Sequence, residues 1–457
     1  MKMMLSEIAR AIGAKFNNEK YKDVEITEVQ FDSRKITERA LFVPLIGERD
    51  GHDFLESARV SGACATLWQS DHELPQVKFP VLEVDDTLKA MQLLAQYYLN
   101  KVNPKVVAVT GSNGKTTTKD MIAAVLKQEF NVHATKGNFN NEIGVPFTIL
   151  QMKMNTEVLV IEMGMDRPGQ LTLLSKMVEP DIAVITMIGE AHIEFFGTRA
   201  KIAEAKMEIV SHLKYDGLLI YNGDEPLLRN LAKSLKQDTK TFGFNSDNDV
   251  IASDIHSYQY HASFKINVSD DKFSIPLIGS HNVANALAAV LVGEHYHEQL
   301  PTINHALQKF KATENRMQWK KGDVGEDILD DIYNSNPTAA AAVLKSFSAV
   351  PRRKNGKRII VLADMLELGE RGPEFHAELA NGINPTQIDE VFMYGTLMEN
   401  LANKLTEKFA PEKLHLYHVD QQAQLINQLK DTIHTDDIVL LKGSHSMKLD
   451  HVLAAIL

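Results

Sequence analysis

Residues 105–126, KVVAVTGSNGKTTTKDMIAAVL, set an apolar strand, a glycine turn and a helix in direct succession. That order makes a phosphate cradle. Backbone N–H groups of Gly111, Ser112, Asn113, Gly114 and Lys115 can surround an anion at the positive end of the helix. Lys115 would reach the terminal phosphates, Thr116 would hold Mg²⁺, and Thr117 completes the nucleotide-binding set. Val109 stands where the usual phosphate-loop pattern has its first glycine. The competing reading is a glycine turn that only caps a helix. Gly-Lys-Thr-Thr directly after a buried-type strand favours the phosphate.

Further along the chain, other side chains could serve the same chemistry. Glu162 ends the apolar run of residues 158–161 and delivers a carboxylate at a strand terminus, a second position for Mg²⁺. His192, in TMIGEAHIEFFG, follows the next apolar strand and is expected at the same sheet edge, on metal or phosphate. Lys206 shares a helical face with Ile202, Ile209 and Leu213, which puts an ammonium in an apolar stripe. Such a lysine either snorkels to water or, desolvated and neutral, adds carbon dioxide to become a carbamate, an oxygen ligand for Mg²⁺. In SHNVANALAA, Asn282 and Asn285 lie three apart and could read a nucleotide, with helix capping as the alternative. Arg316 and Asp331 open the last third of the chain and could close on that nucleotide; surface ion pairing is the plainer reading.

These residues need sheets to hold them. VVAVT, EVLVIEMG, DIAVITMIG and GLLIYN are near-continuous apolar runs, each followed by helical spacing, as in parallel strands covered on both faces. Before them, residues 1–84 alternate short strands and helices in a small α/β unit, and a helix from Thr87 to Leu99 leads out of it. Residues 249–278 read as an antiparallel extension of the central sheet. From Thr313, DILDDIYN, RIIVLADM, EVFMYG and DIVLLKGS supply a second open sheet. The expected fold is α/β in three domains: 1–84, a central phosphate-loop domain at 85–312 with a mostly parallel sheet, and a Rossmann-like domain at 313–457.

Composition narrows the classes. With 49 Lys and Arg against 60 Asp and Glu, the net charge is −11, which argues against broad nucleic-acid binding. Cys64 is the one cysteine, so neither an intrachain disulfide nor a cysteine zinc site is expected. MKMMLSEIARAIGAKF reads as an amphipathic helix rather than a signal peptide, and no apolar run approaches the roughly 18 residues of a membrane span. A cytoplasmic protein without membrane segments is the expectation.

Taken together, TGSNGKTTT, VIEMG, GEAH, AKMEI, SHNVANALAA, ENRM and DDIYNSNP resemble, in order and approximate spacing over essentially the whole chain, the Mur ligases of peptidoglycan synthesis. GNFNNEIGVP, LADMLELG and DSR with GERDGHDF resemble the branch that joins D-alanyl-D-alanine to UDP-N-acetylmuramoyl-tripeptide. The resemblance implies a first domain for the UDP end, a central ATPase and a C-terminal domain that brings the dipeptide and closes on ATP. It implies that Ser33 and Arg34 contact the UDP-sugar and that Asn138 helps to position it. Lys115, Thr116, Glu162 and His192 would manage phosphates and Mg²⁺, and Lys206 would be carbamylated. Asn282, Asn285, Arg316 and Asp331 would bind ATP. Asp364 and Leu366, with Met365 and Leu368, would hold the dipeptide, and the enzyme would act as a monomer. Ser335 stands where alanine is common in that branch, and His445 where arginine is expected. A folylpolyglutamate synthase, or a nucleotide-switched binding protein that hydrolyses ATP, are the rival readings.

Overall fold

The computed structural model describes residues 1–16, 19–311 and 313–457, so Ala312, the expected last residue of the central domain, lies outside the described residues. The architecture is three-domain α/β. Strands Glu28–Gln30, Ala40–Phe42, Ala63–Gln69 and Val81–Val84 pair in chain order as a parallel four-stranded sheet. Ala40, Phe42, Leu55, Ala58 and Trp68 form its core. The following helix, Thr87–Val102, begins where Asp86 accepts the N–H of Lys89 and ends at Asn103, which turns left-handed just before Pro104.

The largest sheet has nine strands, with Lys105–Thr110 between Val158–Glu162 and Ile182–Ile185. The Val158–Glu162 and Ile182–Ile185 strands are buried at every position, as continuous apolar runs require. Val250–Ser257 joins the sheet parallel to Asp238–Gly243, and Ala262–Ile266 and Ser269–Ile275 then extend it by antiparallel pairing, so the expected antiparallel extension holds beyond its first strand. The third sheet runs, in spatial order, Gln318–Lys321, Asp327–Asp331, Ile438–Lys442, Arg358–Ala363, Glu390–Tyr394 and Leu414–Tyr417. Only its Gln318–Lys321 edge is antiparallel. Asp331 and Lys442 are register partners at the carboxyl ends of adjacent strands, where open α/β sheets bind ligands.

The helix that carries Lys206 is shorter than its spacing predicts. It spans Arg199–Met207 and tightens into a 3₁₀ turn over Glu208–Val210. Two β-branched residues, Ile209 and Val210, weaken helix propagation there. The Glu208 carboxylate is meanwhile drawn to another helix start, accepting the N–H groups of Gly169 at 2.7 and 2.9 Å and of Thr172 at 3.2 Å. Ile202, Ile209 and Leu213 are still buried.

The described residues gather into two compact units. One comprises Met1–Val109, Glu129–Ala183 and Glu208–Leu218; the other Thr110–Gln128, Val184–Met207 and Leu219–Leu457.

Candidate active site

In the first unit, Glu162 closes its strand opposite Val109, the register partner two residues before the glycine turn. Its N–H donates to Thr135 Oγ1 at 2.9 Å, and its Oε1 accepts Asn140 Nδ2 at 2.7 Å. Oε2 is buried with no hydrogen-bond partner among the described residues. A buried carboxylate oxygen left open is a costly arrangement that a cation would relieve. Asn138, the expected positioning residue, is exposed, and Asn140, two residues on, is the amide that holds Glu162. Ser33 is buried in a short 3₁₀ turn, whereas the exposed guanidinium of Arg34 folds back on Asp32 with two contacts of 2.9 Å.

In the second unit, the phosphate loop demands glycine twice. Gly111 has φ +150°, and a Cβ there would lie 1.9 Å from Thr186 Oγ1; Gly114 has φ +80°, and its Cβ would lie 2.5 Å from Asn285 Oδ1. The backbone can thus approach a ligand where no side chain fits. Ser112 N–H donates to Met187 O at 2.9 Å, so this one amide of the expected cradle serves the scaffold. The remaining donors come from the helix's opening turn, which has no carbonyl a turn behind it. Lys115 Nζ donates to Gly111 O at 2.9 Å, and Thr116 and Thr117 are buried. Asn282 and Asn285 are buried as well: Asn282 donates to Ile278 O at 2.9 Å and accepts from Asn285, which packs under Gly114. These amides brace the loop from beneath.

Lys206 is only 2% exposed, so it does not snorkel. It and Lys115 are close enough to act on His192. Burial chiefly lowers the His192 pKa below the ordinary value; Glu367 opposes this, and Lys115 and Lys206 add to it. His192 takes a left-handed φ of +62°, and its Nδ1 lies 2.6 Å from Glu367 Oε2.

Residues that sequence patterning passed over, Asn336 first among them, join the loop to the last domain. Asn113 and Asn336 exchange amide hydrogen bonds of 3.1 and 2.7 Å. Asn336 also caps the Pro337–Ser348 helix by accepting Ala339 N–H, while Glu190 Oε2 accepts Thr338 Oγ1 at 2.6 Å. Asn336-Pro337 is a helix-start signature legible in sequence. Asp331 is paired with buried Lys442 at 2.6 Å. The Arg316 guanidinium lies over the Tyr333 ring at 4.0 Å, and His445 meets that ring edge-on.

The expected dipeptide contacts divide. Asp364 is buried, and its carboxylate accepts the N–H groups of Leu397 and Met398 at 3.2 and 3.0 Å, so it caps a helix instead of offering a free anchor. Burial pushes its pKa above the usual range, against those N–H donors. Met365 and Leu368 lie in the core. Leu366 keeps an exposed side chain, its N–H tied to Ser444 Oγ at 3.0 Å.

His281 is a half-buried residue whose Nδ1 is buried and unpartnered among the described residues, with Nε2 accepting Asn282 Nδ2 at 3.2 Å. Desolvation lowers its pKa to about 4; Asp331 pulls it up and Lys442 pushes it down. Because the folded value lies below the unfolded one, the unfolded chain gains a proton first as pH falls. Stability should therefore drop between about pH 6.5 and about pH 4, by at most about 3 kcal/mol from this group. Urea midpoints across that window should show a smaller drop in His281→Asn than in the parent chain.

A glycine-shaped phosphate loop, bonded through Asn113 to Asn336 of the last domain, defines a phosphate-loop nucleotide enzyme with an added domain. The chain belongs to the Mur ligase family: the Mur ligase middle domain matches residues 109–293, the Mur ligase glutamate ligase domain 315–445, and the Mur ligase family catalytic domain 25–99. It is 42% identical to the UDP-N-acetylmuramoyl-tripeptide--D-alanyl-D-alanine ligase of Bacillus subtilis (strain 168), over 99% of this chain and 98% of that one. Its Escherichia coli (strain K12) counterpart is 33% identical, over 95% and 94%. Among solved structures, MurF from Acinetobacter baumannii superposes with a TM-score of 0.87 at 26% identity, covering 99% and 98%. MurF ligase from Thermotoga maritima in complex with ADP gives 0.81 at 30% identity, covering 94% and 96%.

Proposed function

We infer that this chain is an ATP-dependent ligase that adds D-alanyl-D-alanine to UDP-N-acetylmuramoyl-tripeptide in peptidoglycan synthesis. The observation that carries this is likeness to the Bacillus subtilis ligase over nearly the full length of both chains. The terminal carboxylate of the tripeptide attacks the γ-phosphate of ATP, forming an acyl phosphate and ADP; the dipeptide amine then attacks the acyl carbon and expels phosphate. Lys115 disperses charge on the transferring phosphoryl group. We assign the UDP end to residues 1–84 through Ser33 and Arg34, with Asn138 in the central domain as a further substrate contact, ATP to 85–312, and the dipeptide to 313–457, with Arg316 and Asp331 closing on ATP.

Thr116, Glu162, His192 and Lys206 as a carbamate would hold Mg²⁺. The open Oε2 of Glu162 suits a cation, which when bound would neutralise charge on the phosphates. The neutral imidazole favoured at His192 suits a ligand role. We assign the enzyme to the cytoplasm, as a monomer, on its likeness to the Bacillus subtilis ligase. No helix among the described residues is long and apolar enough to cross a membrane.

Acceptor choice tests this reading. With UDP-tripeptide and ATP, D-alanyl-D-alanine should support product formation far better than D-alanine, L-lysine or L-glutamate, because each single amino acid lacks part of the recognised shape. Preference for a single amino acid would move the chain to another branch of the family, and phosphate release that needs no amine would make it a switch.

A further inference from the structure

One side chain of the third domain reaches the phosphate side of the site, and neither sequence patterning nor the reaction described so far uses it. Glu367 lies in LADMLELG, on the loop after the Arg358–Ala363 strand. That loop is pinned along its length. Asp364 caps the helix at Met398, Met365 N–H donates to His376 Nε2 at 2.9 Å, and Leu366 N–H donates to Ser444 Oγ. The half-exposed Glu367 projects from this frame with a left-handed φ of +61°. Its Oε2 is 2.6 Å from His192 Nδ1, its carbonyl accepts Glu194 N–H at 3.2 Å, and a Cβ at Gly369 would touch Glu194 at 3.5 Å. His192 is left-handed too, so two non-glycine residues adopt a costly backbone where they meet.

An imidazole that serves a cation or phosphate with one nitrogen needs the other fixed, and a carboxylate on that second nitrogen sets both tautomer and ring plane. His192 Nδ1 is buried without a hydrogen-bond partner among the described residues, and Glu367 Oε2 at 2.6 Å makes an ion-pair contact that falls short of hydrogen-bond alignment. We propose that Glu367 is a positioning residue: it holds Nδ1–H of His192 so that Nε2 faces the phosphate site, and thereby makes that site complete only when the third domain is docked. Water is then kept from a half-built site, since the domain assigned to bring the amine also finishes the orientation of His192. This rests on the placement of His192 at the metal and phosphate site.

The test compares Glu367→Gly, which removes the carboxylate but suits the left-handed backbone, with Glu367→Gln, whose amide oxygen can still accept Nδ1–H. Glu367→Gly should lower kcat about 10- to 100-fold with little change in KM for the UDP-tripeptide, and should weaken Mn²⁺ binding to the ADP complex, read by electron paramagnetic resonance, by about tenfold. Glu367→Gln should stay within a few-fold of the parent on both measures. The double variant with His192→Ala should be no slower than His192→Ala alone. Losses that multiply in the double variant, or a Glu367→Gly enzyme within threefold of the parent in kcat and Mn²⁺ affinity, would overturn the proposal. A fully active His192→Ala enzyme would instead overturn the placement on which it rests.

Discussion

Lys115→Ala is expected to lower ligation by about three orders of magnitude, the scale of losing a preorganised group aimed at developing charge. It should leave UDP-tripeptide affinity within about twofold, because the UDP end is assigned to another domain. The ammonium sits over the carbonyls of Gly111 and Ser112, at 2.9 and 3.4 Å, so it is already gathered at the turn whose glycines leave room for phosphate. Alanine keeps helix propensity at this first helical position, and the thermal midpoint should move by only a few degrees. Arginine should not rescue the loss, because a planar fork cannot replace a compact point charge in a tight loop. ADP release coupled to product formation, with calorimetric titration of UDP-tripeptide, reads both halves. A folded Lys115→Ala enzyme with full activity would refute the role.

The phosphate loop was legible because its signals are local. A β-branched strand, glycines at two positions and Lys-Thr-Thr at the helix start lie within residues 105–118, and the structure gives each glycine a physical reason. The strands followed the same logic, since buried parallel strands must read as apolar runs. Misreadings arose where the deciding partner is remote. In GNFNN nothing local says that Asn140 is the amide that holds Glu162. LADMLELG looked like one polar anchor with apolar packing, yet Asp364 is consumed by the helix after residue 397, and Met365 and Leu368 by the core. Asn336, Lys442 and Glu367 form long-range pairs with Asn113, Asp331 and His192, and such pairs leave no periodicity to detect. The end of the Lys206 helix was missed likewise, because Glu208 bonds near Gly169 rather than one turn back.

That helix carries the second large effect. Lys206→Ala should reduce ligation at least a hundredfold, and millimolar formate, acetate or propionate should restore part of it. A lysine only 2% exposed is long and cationic where water cannot follow, and its charge bears on the basic ring of His192. Reaction of the neutral amine with carbon dioxide releases a proton and turns this position from a cation into an anion, which suits a site that must hold both phosphates and a divalent ion. Removing this buried side chain leaves a cavity; that cavity alone would cost stability, but a carboxylate additive would not specifically repair it. Lys206→Met separates the two effects. It fills the volume, so stability should recover while activity stays low, and its bulk should block the rescue that the alanine variant permits. Depleting bicarbonate and carbon dioxide from the parent enzyme should slow it reversibly. If Lys206→Ala is active without additive, or the parent enzyme is indifferent to carbon dioxide and carries an unmodified lysine by intact-mass and carbon-13 measurements, the carbamate reading is wrong and Lys206 acts as an ammonium.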